Sequence, residues 1–244
     1  MRIALLADTH GNLVALEAVL ADLATRPPDQ FVCLGDVSLG PQPYAVLERV
    51  RTLGCPVVMG NCDEPLLGSH TAPPTGSSPG PFDDLERWCA AKVTPEHAAF
   101  IRTFQPTVRV ELGAGRTLLC YHGSPRSYDE AIEPLTPLSE LDEFFAGQQA
   151  DILAGGHTHI QMLRRYQSSL LINPGSVGLP FDRYPTDAAT RNPAWAEYAV
   201  VEADGPRLNL ELHRVPYDLD ALKRAIRASG MPHAEEWLAD WVAQ

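Results

Sequence analysis

Five polar clusters in this 244-residue chain each follow directly after a short apolar segment. They are Asp8-Thr9-His10, Gly35-Asp36, Gly60-Asn61, His122-Gly123 and Gly156-His157-Thr158-His159. Ligands of open α/β sheets bind beyond the carboxyl ends of the strands, so side chains placed there converge on one region. This recurrence constrains the fold more than any other feature, because it indicates strands whose carboxyl ends can bring the five clusters to one place.

The first sixty residues alternate between strand and helix patterns. Arg2 to Ala7 is an apolar run, and Leu13, Leu16, Leu20 and Leu23 repeat at the spacing of one helix face. The same reasoning predicts a strand at Phe31–Leu34, a helix over Val46–Leu53 closed by Gly54, and a strand at Pro56–Met59. The alternation indicates βαβ units, and therefore an α/β fold with parallel strands.

The middle of the chain departs from this alternation. We interpret residues 66–106 as a lid-like helical insertion with a proline- and glycine-rich loop at Gly68–Pro81. Two short helices are predicted within it, at Phe82–Lys92 and Pro95–Phe104. Thr94 is the expected N-cap of the second helix.

The second half is richer in strands, and the whole chain, 1–244, is interpreted as one domain. The predicted segments are a hairpin at Val108–Leu112 and Arg116–Tyr121, a helix at Leu138–Gln148, strands at Asp151–Leu153, Gln161–Tyr166, Leu170–Ile172, Ala196–Val201 and Leu208–Val215, and helices at Leu219–Ala228 and His233–Val242. Residues 216–244 form a C-terminal helical extension. It is interpreted as a packing element, with a homo-oligomer contact through Trp237 and Trp241, four positions apart on a helix, as the alternative.

Charge and cysteine usage limit the partners. The formal net charge is −12 without a basic block, which argues against stable nucleic-acid binding, because such a surface repels phosphate backbones. No apolar run is long enough for a membrane span. The N-terminal apolar segment is too short for a signal peptide, and the five cysteines form no C-x-x-C pair. We therefore expect a reducing, cytoplasmic location.

The polar clusters offer the side chains that a metal pair requires. They supply seven protein ligands: two aspartates, four histidines and one amide oxygen. Seven ligands are too many for one zinc ion but suit two ions that share a carboxylate. Asp36 is the expected bridge. The candidate ligands are Asp8, His10, Asp36, Asn61, His122, His157 and His159.

Each cluster alone also has a plain structural explanation. Asp36 could cap the following segment, Asn61 could occupy a turn, and His122 could be a hydrogen-bonded core histidine. The metal interpretation rests on all five clusters occurring in order, each at the end of a strand.

The ordered set D-x-H, G-D, G-N, H and G-H-x-H resembles that of the calcineurin-like metallophosphoesterase superfamily, from Ile3 to about Gly178. The strings Asp8-Thr9-His10-Gly11-Asn12, Gly60-Asn61-Cys62-Asp63 and Asn173-Pro174-Gly175-Ser176 resemble its small prokaryotic phosphodiesterase branch most closely. The resemblance implies a four-layer α/β sandwich: two mixed β-sheets lie face to face, flanked by helices, with two divalent metal ions at one edge.

By position, the resemblance implies that Asp8, His10, Asp36 and His159 hold one ion and that Asp36, Asn61, His122 and His157 hold the other. It implies in-line attack of a metal-bridging hydroxide on phosphorus, with Asp36, Asn61 and His122 as catalytic residues. Mixed nitrogen and oxygen ligation is compatible with Mn, Fe, Co, Ni or Zn. The implied partner is a small phosphorylated substrate.

Four further residues are candidate substrate contacts. Asn12 and the backbone near Gly123 are placed to meet a phosphate oxygen. Arg183, in a long irregular stretch from Phe181 to Trp195, either clamps a phosphate or belongs to a surface loop. Cys62 stands where related protein phosphatases have a histidine acid, and it is either a substrate contact or a packing residue beneath the metals.

The missing histidine suggests that this site favours leaving groups of low pKa, such as those of phosphoanhydrides and dinucleoside polyphosphates. His70, in the predicted loop, is the alternative acid. Two other functions stay open: a phosphomonoesterase, which includes protein phosphatases, and a protein-binding scaffold that keeps the fold. A metallo-β-lactamase is excluded, because Ile160 and Gln161 follow His159 where that class needs aspartate and histidine.

Overall fold

A computed structural model describes residues 1–68, 80–182 and 191–242. The strands within these ranges are β1 (Arg2–Leu6), β2 (Gln30–Cys33), β3 (Val108–Gly113), β4 (Arg116–Cys120), β5 (Ile152–Ala154), β6 (Met162–Tyr166), β7 (Ser169–Asn173), β8 (Asn192–Pro193), β9 (Trp195–Asp204), β10 (Arg207–Pro216) and β11 (Trp241–Val242). The helices are α1 (Leu13–Leu23), α2 (Pro43–Leu53), α3 (Pro81–Ala90), α4 (Pro95–Ile101), α5 (Leu138–Phe144), α6 (Leu219–Ser229) and α7 (Ala234–Ala239), with a short 3-10 helix at Glu64–Leu67.

The strands form two mixed sheets. The first has the order β10-β9-β1-β2, in which β1 and β2 are parallel and the other pairs are antiparallel. The second has the order β3-β4-β5-β7-β6, in which β4, β5 and β7 are parallel and the outer strands are antiparallel. A separate two-stranded ladder joins β8 to β11.

The two sheets face each other across an apolar core. Alternate side chains of β1 point to opposite faces of the first sheet. Ile3 and Leu5 pack against side chains of the second sheet, such as Leu118 and Ile152. The helices α1, α2 and α6 cover the outer face of the first sheet. The outer face of the second sheet packs against α5. The predicted α/β fold of two mixed sheets flanked by helices is confirmed.

Local signals account for the helix ends that position the site. Asn12 caps α1, because its side-chain oxygen accepts a hydrogen bond from the Ala15 amide at 3.0 Å. Gly54 ends α2 in a left-handed conformation with φ 61°, as the sequence predicts. Thr94 caps α4 through the His97 amide, again as predicted.

Several element predictions are wrong in detail. The segment Pro56–Met59 is extended but forms only isolated bridges, Val57 to Cys33 and Val58 to Gln105, so no ladder develops. The helix predicted to end at Val242 ends at Ala239, and Trp241 lies in β11, where it pairs with β8. Trp237 and Trp241 therefore do not share a helix face, since a pairing with residues about fifty positions away overrides the local pattern.

Three other helix predictions are too long at their carboxyl ends, and one of them, expected to reach Lys92, ends at Ala90. The helix expected to reach Phe104 ends at Ile101, and the one expected to reach Gln148 ends at Phe144. None of the helices in the described part of the chain is long and apolar enough to cross a membrane. The helices α3 and α4 lie within the predicted insertion, and its role as a lid stays a prediction.

Candidate metal centre

The ends of four strands bring six of the seven candidate ligands together. Asp8 and His10 follow β1, and Asp36 follows β2. His122 lies just beyond β4, and both histidines of the G-H-x-H element lie beyond β5. The seventh, Asn61, follows the extended segment that contacts β2. All are buried except Asn61 and His157, which are partly exposed and therefore mark the open side of the group.

One group of atoms surrounds Asp8. The Nε2 atoms of His10 and His159 are 3.0 Å apart, and His159 Nε2 lies 3.4 Å from Asp8 Oδ1. His10 Nε2 is also 3.6 Å from Asp36 Oδ2. The ligand atoms of Asp8, His10 and His159 lie within 4.8 Å of one another, as a single ion requires.

A second group surrounds Asn61. Its Oδ1 lies 2.9 Å from His122 Nε2 and 3.0 Å from His157 Nδ1. Asp36 Oδ2 is 3.5 Å from His122 Nε2. The Asp36 carboxylate therefore stands between the two groups, at nearly equal distances from His10 and His122.

The hydrogen bonds of three histidines suit metal binding. The Nδ1 atoms of His10, His122 and His159 each bond a backbone carbonyl, those of Leu39 at 3.2 Å, Leu34 at 2.7 Å and Leu179 at 2.7 Å. A carbonyl only accepts, so each Nδ1 carries a proton. In its neutral form each ring therefore presents an unprotonated Nε2 to the centre, which is the form that binds metals.

The distance between His10 Nε2 and His159 Nε2 tests whether these two atoms could bind the same metal ion. In the neutral tautomers the Nε2 atoms of His10 and His159 oppose each other without a proton between them. Two ligand atoms bound to one ion at about 2.1 Å lie roughly 3.0–3.4 Å apart for angles of 90–109°. The observed separation of 3.0 Å matches that arrangement. The residues present therefore fit a divalent cation.

The electrostatics also favour a cation. Burial alone would lower the pKa of His122, but the Asp36 and Asp8 carboxylates raise it to about 10. Burial and the neighbouring His159 lower the pKa of His10 to about 4. Burial would raise the pKa of the Asp36 carboxyl, but His122 and His10 hold it well below its usual range. Burial would also raise the pKa of Asp8, but His159 lowers it, so both carboxylates stay ionised and impose a negative potential on the centre.

Strained backbone accompanies the candidate ligands. Five of them adopt the left-handed region, which residues other than glycine rarely occupy. They are Asp8 with φ 54°, His10 with φ 44°, Asp36 with φ 52°, His157 with φ 69° and His159 with φ 58°. Each such residue costs about 1–3 kcal/mol and persists only where its surroundings fix it. The left-handed conformation directs these side chains from their separate loops towards the common centre.

Two glycines permit this convergence. A Cβ on Gly60 would stand 2.1 Å from Asp36 Oδ1, and one on Gly156 would stand 2.6 Å from Asp8 Oδ2. Both distances are shorter than any real Cβ contact. A side chain at either position would push a carboxylate out of the centre.

Buried polar residues beyond the candidate ligands hold the loops in place. Asp63 accepts hydrogen bonds from the amides of Val37 and Gly60, and so joins the loops that carry Asp36 and Asn61. Burial, followed by the charge of Asp36, raises the pKa of Asp63 to about 7.

The turn after β7 braces two other loops. Asn173 Nδ2 donates to the Gly156 carbonyl at 2.7 Å and to Thr158 Oγ1 at 3.0 Å. Ser176 Oγ donates to the Asp8 carbonyl at 2.7 Å. Phe181 stacks on the His159 ring with centroids 4.8 Å apart. The sequence alone predicted no role for Asp63, Asn173, Ser176 or Phe181. The first three nevertheless lie in the sequence motifs that carry the family resemblance.

The predicted substrate contacts lie in different surroundings. The Asn12 side chain is 1% exposed, and its amide donates to the Gly178 carbonyl while its oxygen caps α1, so both polar atoms are bonded within the chain. Cys62 is buried in the core cluster, and its amide donates to Asp36 Oδ1 at 2.8 Å. Gly123 packs against the Tyr128 carbonyl. Arg183 and His70 lie outside the described residues, and the contact roles stay predictions.

A separate cavity lies away from the candidate ligands. It measures about 870 Å³ and is lined by residues that include Arg109, Thr117, Asp151 and Ser169. Asp151 precedes β5 and Ser169 begins β7, so this cavity lies at the amino ends of those strands. The candidate ligands lie at the opposite, carboxyl ends, where α/β sheets bind their ligands.

The donor set suits metal ions, and comparison with known proteins gives the family. Residues 1–203 match the model of the calcineurin-like phosphoesterase superfamily domain. The chain belongs to that superfamily, which confirms the resemblance drawn from its motifs. The family depends on metals, and the hydrolysis of phosphoesters is its general activity.

Relatives match along nearly the whole chain. An uncharacterized protein of Methanocaldococcus jannaschii is 30% identical over 254 residues, covering 98% of this chain and 96% of its own. A metallophosphoesterase from Sphaerobacter thermophilus superposes with a TM-score of 0.74 at 27% identity, with 98% of each chain covered. A hypothetical protein of Pyrococcus horikoshii shares the fold, with a TM-score of 0.78, 21% identity and 97% of each chain covered.

Proposed function

We propose that this chain is a dinuclear metal-dependent phosphoesterase that hydrolyses small phosphodiesters or phosphoanhydrides. The observation that carries the proposal is the position of Asp36. Its Oδ2 lies 3.6 Å from His10 Nε2 and 3.5 Å from His122 Nε2, between two groups of candidate ligands. A carboxylate so placed is suited to two ions rather than one.

Each group supplies one ion with protein ligands. One ion would be held by Asp8, His10, Asp36 and His159, and the other by Asp36, Asn61, His122 and His157. Mixed nitrogen and oxygen donors fit Mn, Fe, Co, Ni or Zn. Two divalent ions also explain how a chain of net charge −12 binds an anionic substrate.

Bound ions supply Lewis acidity, which activates water as a nucleophile and neutralises charge on phosphoryl oxygens. The protein orients the donors through the backbone bonds of its histidines. Burial of Asp8, Asp36 and His122 keeps bulk water from their carboxylates and rings. The partly exposed Asn61 and His157 form the side at which a phosphoryl group would approach.

The substrate preference follows from the position after Asn61. Cys62 is 5% exposed and packs in the core, and its Sγ lies within 4.8 Å of ligand atoms of His10 and Asp36, so a buried thiol rather than an accessible acid stands at this position. Leaving groups that are stable as anions should react best. Phosphoanhydrides, with dinucleoside polyphosphates as a natural class, fit this requirement better than alkyl monoesters.

Hydrolysis of bis(4-nitrophenyl) phosphate tests the proposal. We expect a strong chelator to abolish the rate and added Mn²⁺ or Zn²⁺ to restore it. An unchanged rate after complete metal removal would contradict the metal mechanism. Metal uptake without hydrolysis of any phosphoester would favour the scaffold alternative, and faster hydrolysis of monoesters than of diesters would favour a phosphomonoesterase.

A series of aryl phosphodiesters with graded leaving-group pKa tests the substrate class. We expect the rate to rise steeply as the leaving-group pKa falls, because no strong acid assists departure. The same series on His70→Ala is the control. A flat dependence in wild type that becomes steep in His70→Ala would identify His70 as the acid and overturn the preference.

A further inference from the structure

Two free cysteines are in contact at the edge of the first sheet. Cys33 Sγ and Cys55 Sγ are 3.7 Å apart, although 22 positions separate the residues in sequence. Both are free thiols in the structure. Neither lies in the metal centre, and the proposed phosphoesterase chemistry uses neither.

Backbone hydrogen bonds join the segments that carry the two cysteines. The Cys33 amide donates to the Pro56 carbonyl at 3.1 Å, and the Val58 amide donates to the Cys33 carbonyl at 2.8 Å. A disulfide requires an S–S distance of about 2.05 Å. The sulfurs, 3.7 Å apart, therefore have to approach by about 1.7 Å before the bond can form.

The two thiols differ in access and acidity. Cys55 is partly exposed, whereas Cys33 is 2% exposed. The hydrogen bond from Cys33 lowers the pKa of Cys55, and the same contact together with burial raises the pKa of Cys33. An accessible, more acidic thiol beside a second cysteine is the arrangement of redox-sensitive pairs.

We propose that Cys33 and Cys55 form a reversible oxidation site that a hydroperoxide closes to a disulfide. The Cys55 thiolate attacks a peroxide oxygen and breaks the O–O bond, which gives a sulfenic acid, and the hydroxide expelled from hydrogen peroxide takes up the proton that Cys55 lost and leaves as water. The Cys33 sulfur then attacks the sulfenic sulfur and displaces hydroxide, which takes the Cys33 proton and leaves as water. Two thiols and one peroxide thus give one disulfide and two waters.

The two cysteines lie on the segments that carry the candidate ligands Asp36 and Asn61. Cys33 ends β2, three residues before Asp36, and Cys55 precedes the extended segment that leads to Asn61. A disulfide would covalently join the two segments that carry these candidate ligands. The oxidation itself is independent of catalysis, so its test does not depend on the proposed function.

Peptide mapping of the native full-length chain tests the site. After treatment with a few equivalents of hydrogen peroxide, we expect the mass to fall by about 2 Da, for the two hydrogens lost in one disulfide. We also expect two of the five thiols to become unreactive in denaturant, and a Cys33–Cys55 linked peptide that dithiothreitol releases. Cys55→Ser should yield no linked peptide, and the control Cys89→Ser should yield it as wild type does.

Three results would overturn the proposal. One is a wild type that keeps all its thiols under conditions that oxidise a model dithiol. Another is a mass gain at Cys55 from sulfinic acid without any linkage. The third is a disulfide between other cysteines or between two copies of the chain.

Discussion

Ser176→Ala should weaken metal binding without touching a proposed ligand. Ser176 is fully buried, donates to the Asp8 carbonyl at 2.7 Å and accepts from the Leu179 amide at 2.7 Å. Asp8 is held at φ 54°, so the lost bond removes part of what fixes a strained residue. The substitution takes away one oxygen and creates almost no cavity, so it isolates the hydrogen bonds.

The two lost bonds set the magnitude. At about 1 kcal/mol each, they should lower the free energy of unfolding by about 2 kcal/mol. In a chain of this size that corresponds to a Tm lower by about 4–8 °C. Loss of such a supporting contact typically weakens metal affinity by about 10–100-fold. Urea unfolding of the metal-free protein and calorimetric metal titration measure the two effects separately.

Ser169→Ala is the matched control. Ser169 Oγ also donates to a backbone carbonyl, that of Ala150 at 2.5 Å, but at the opposite end of β7. We expect this variant to lose stability and to bind metal as wild type does. If Ser176→Ala lowered the free energy of unfolding and left metal affinity at the Ser169→Ala value, the positioning role would be refuted.

Two further substitutions test the centre directly. Asp36→Asn should reduce hydrolysis more than Asn61→Ala, because Asp36 contacts both groups whereas Asn61 contacts one; steady-state rates with matched metal loading measure this, and equal losses would contradict the bridge. Gly60→Ala should abolish metal-dependent activity, since its Cβ would lie 2.1 Å from Asp36 Oδ1, while Gly80→Ala, with its nearest neighbour at 3.6 Å, should keep the activity of wild type. An active Gly60→Ala would show that the carboxylate tolerates displacement.

Local patterns predict the elements that carry the candidate site. The apolar run of β1 and the three-and-four spacing in α1 are signals within a few residues, and both elements form as predicted. Within each sheet the polar clusters converge because parallel strands share an edge, which sequence order predicts, whereas the clusters of the two sheets meet only because the sheets pack face to face. The α/β class and the family therefore follow from the chain without a structure.

Other features depend on contacts between distant segments. Trp241 lies in β11 because this strand pairs with Asn192 and Pro193 of β8. No pattern in the neighbouring residues predicts that pairing. The left-handed backbone of Asp8 and His157 also contradicts local preference. It persists because distant groups bind these loops: the Asp8 amide donates to the Gly35 carbonyl, and the His157 amide donates to the Asp8 carboxylate. Such bonds become visible only in the folded chain.

Metal analysis of the purified protein tests the central claim most directly. Protein stripped of metal and reconstituted with Mn²⁺ or Zn²⁺ should bind two equivalents per chain, and hydrolysis of an aryl phosphodiester should rise with occupancy and reach its maximum at the second equivalent. His159→Ala and Asn61→Ala, one substitution in each group, should each lower the stoichiometry towards one. Full activity at one equivalent, or at none, would contradict the account.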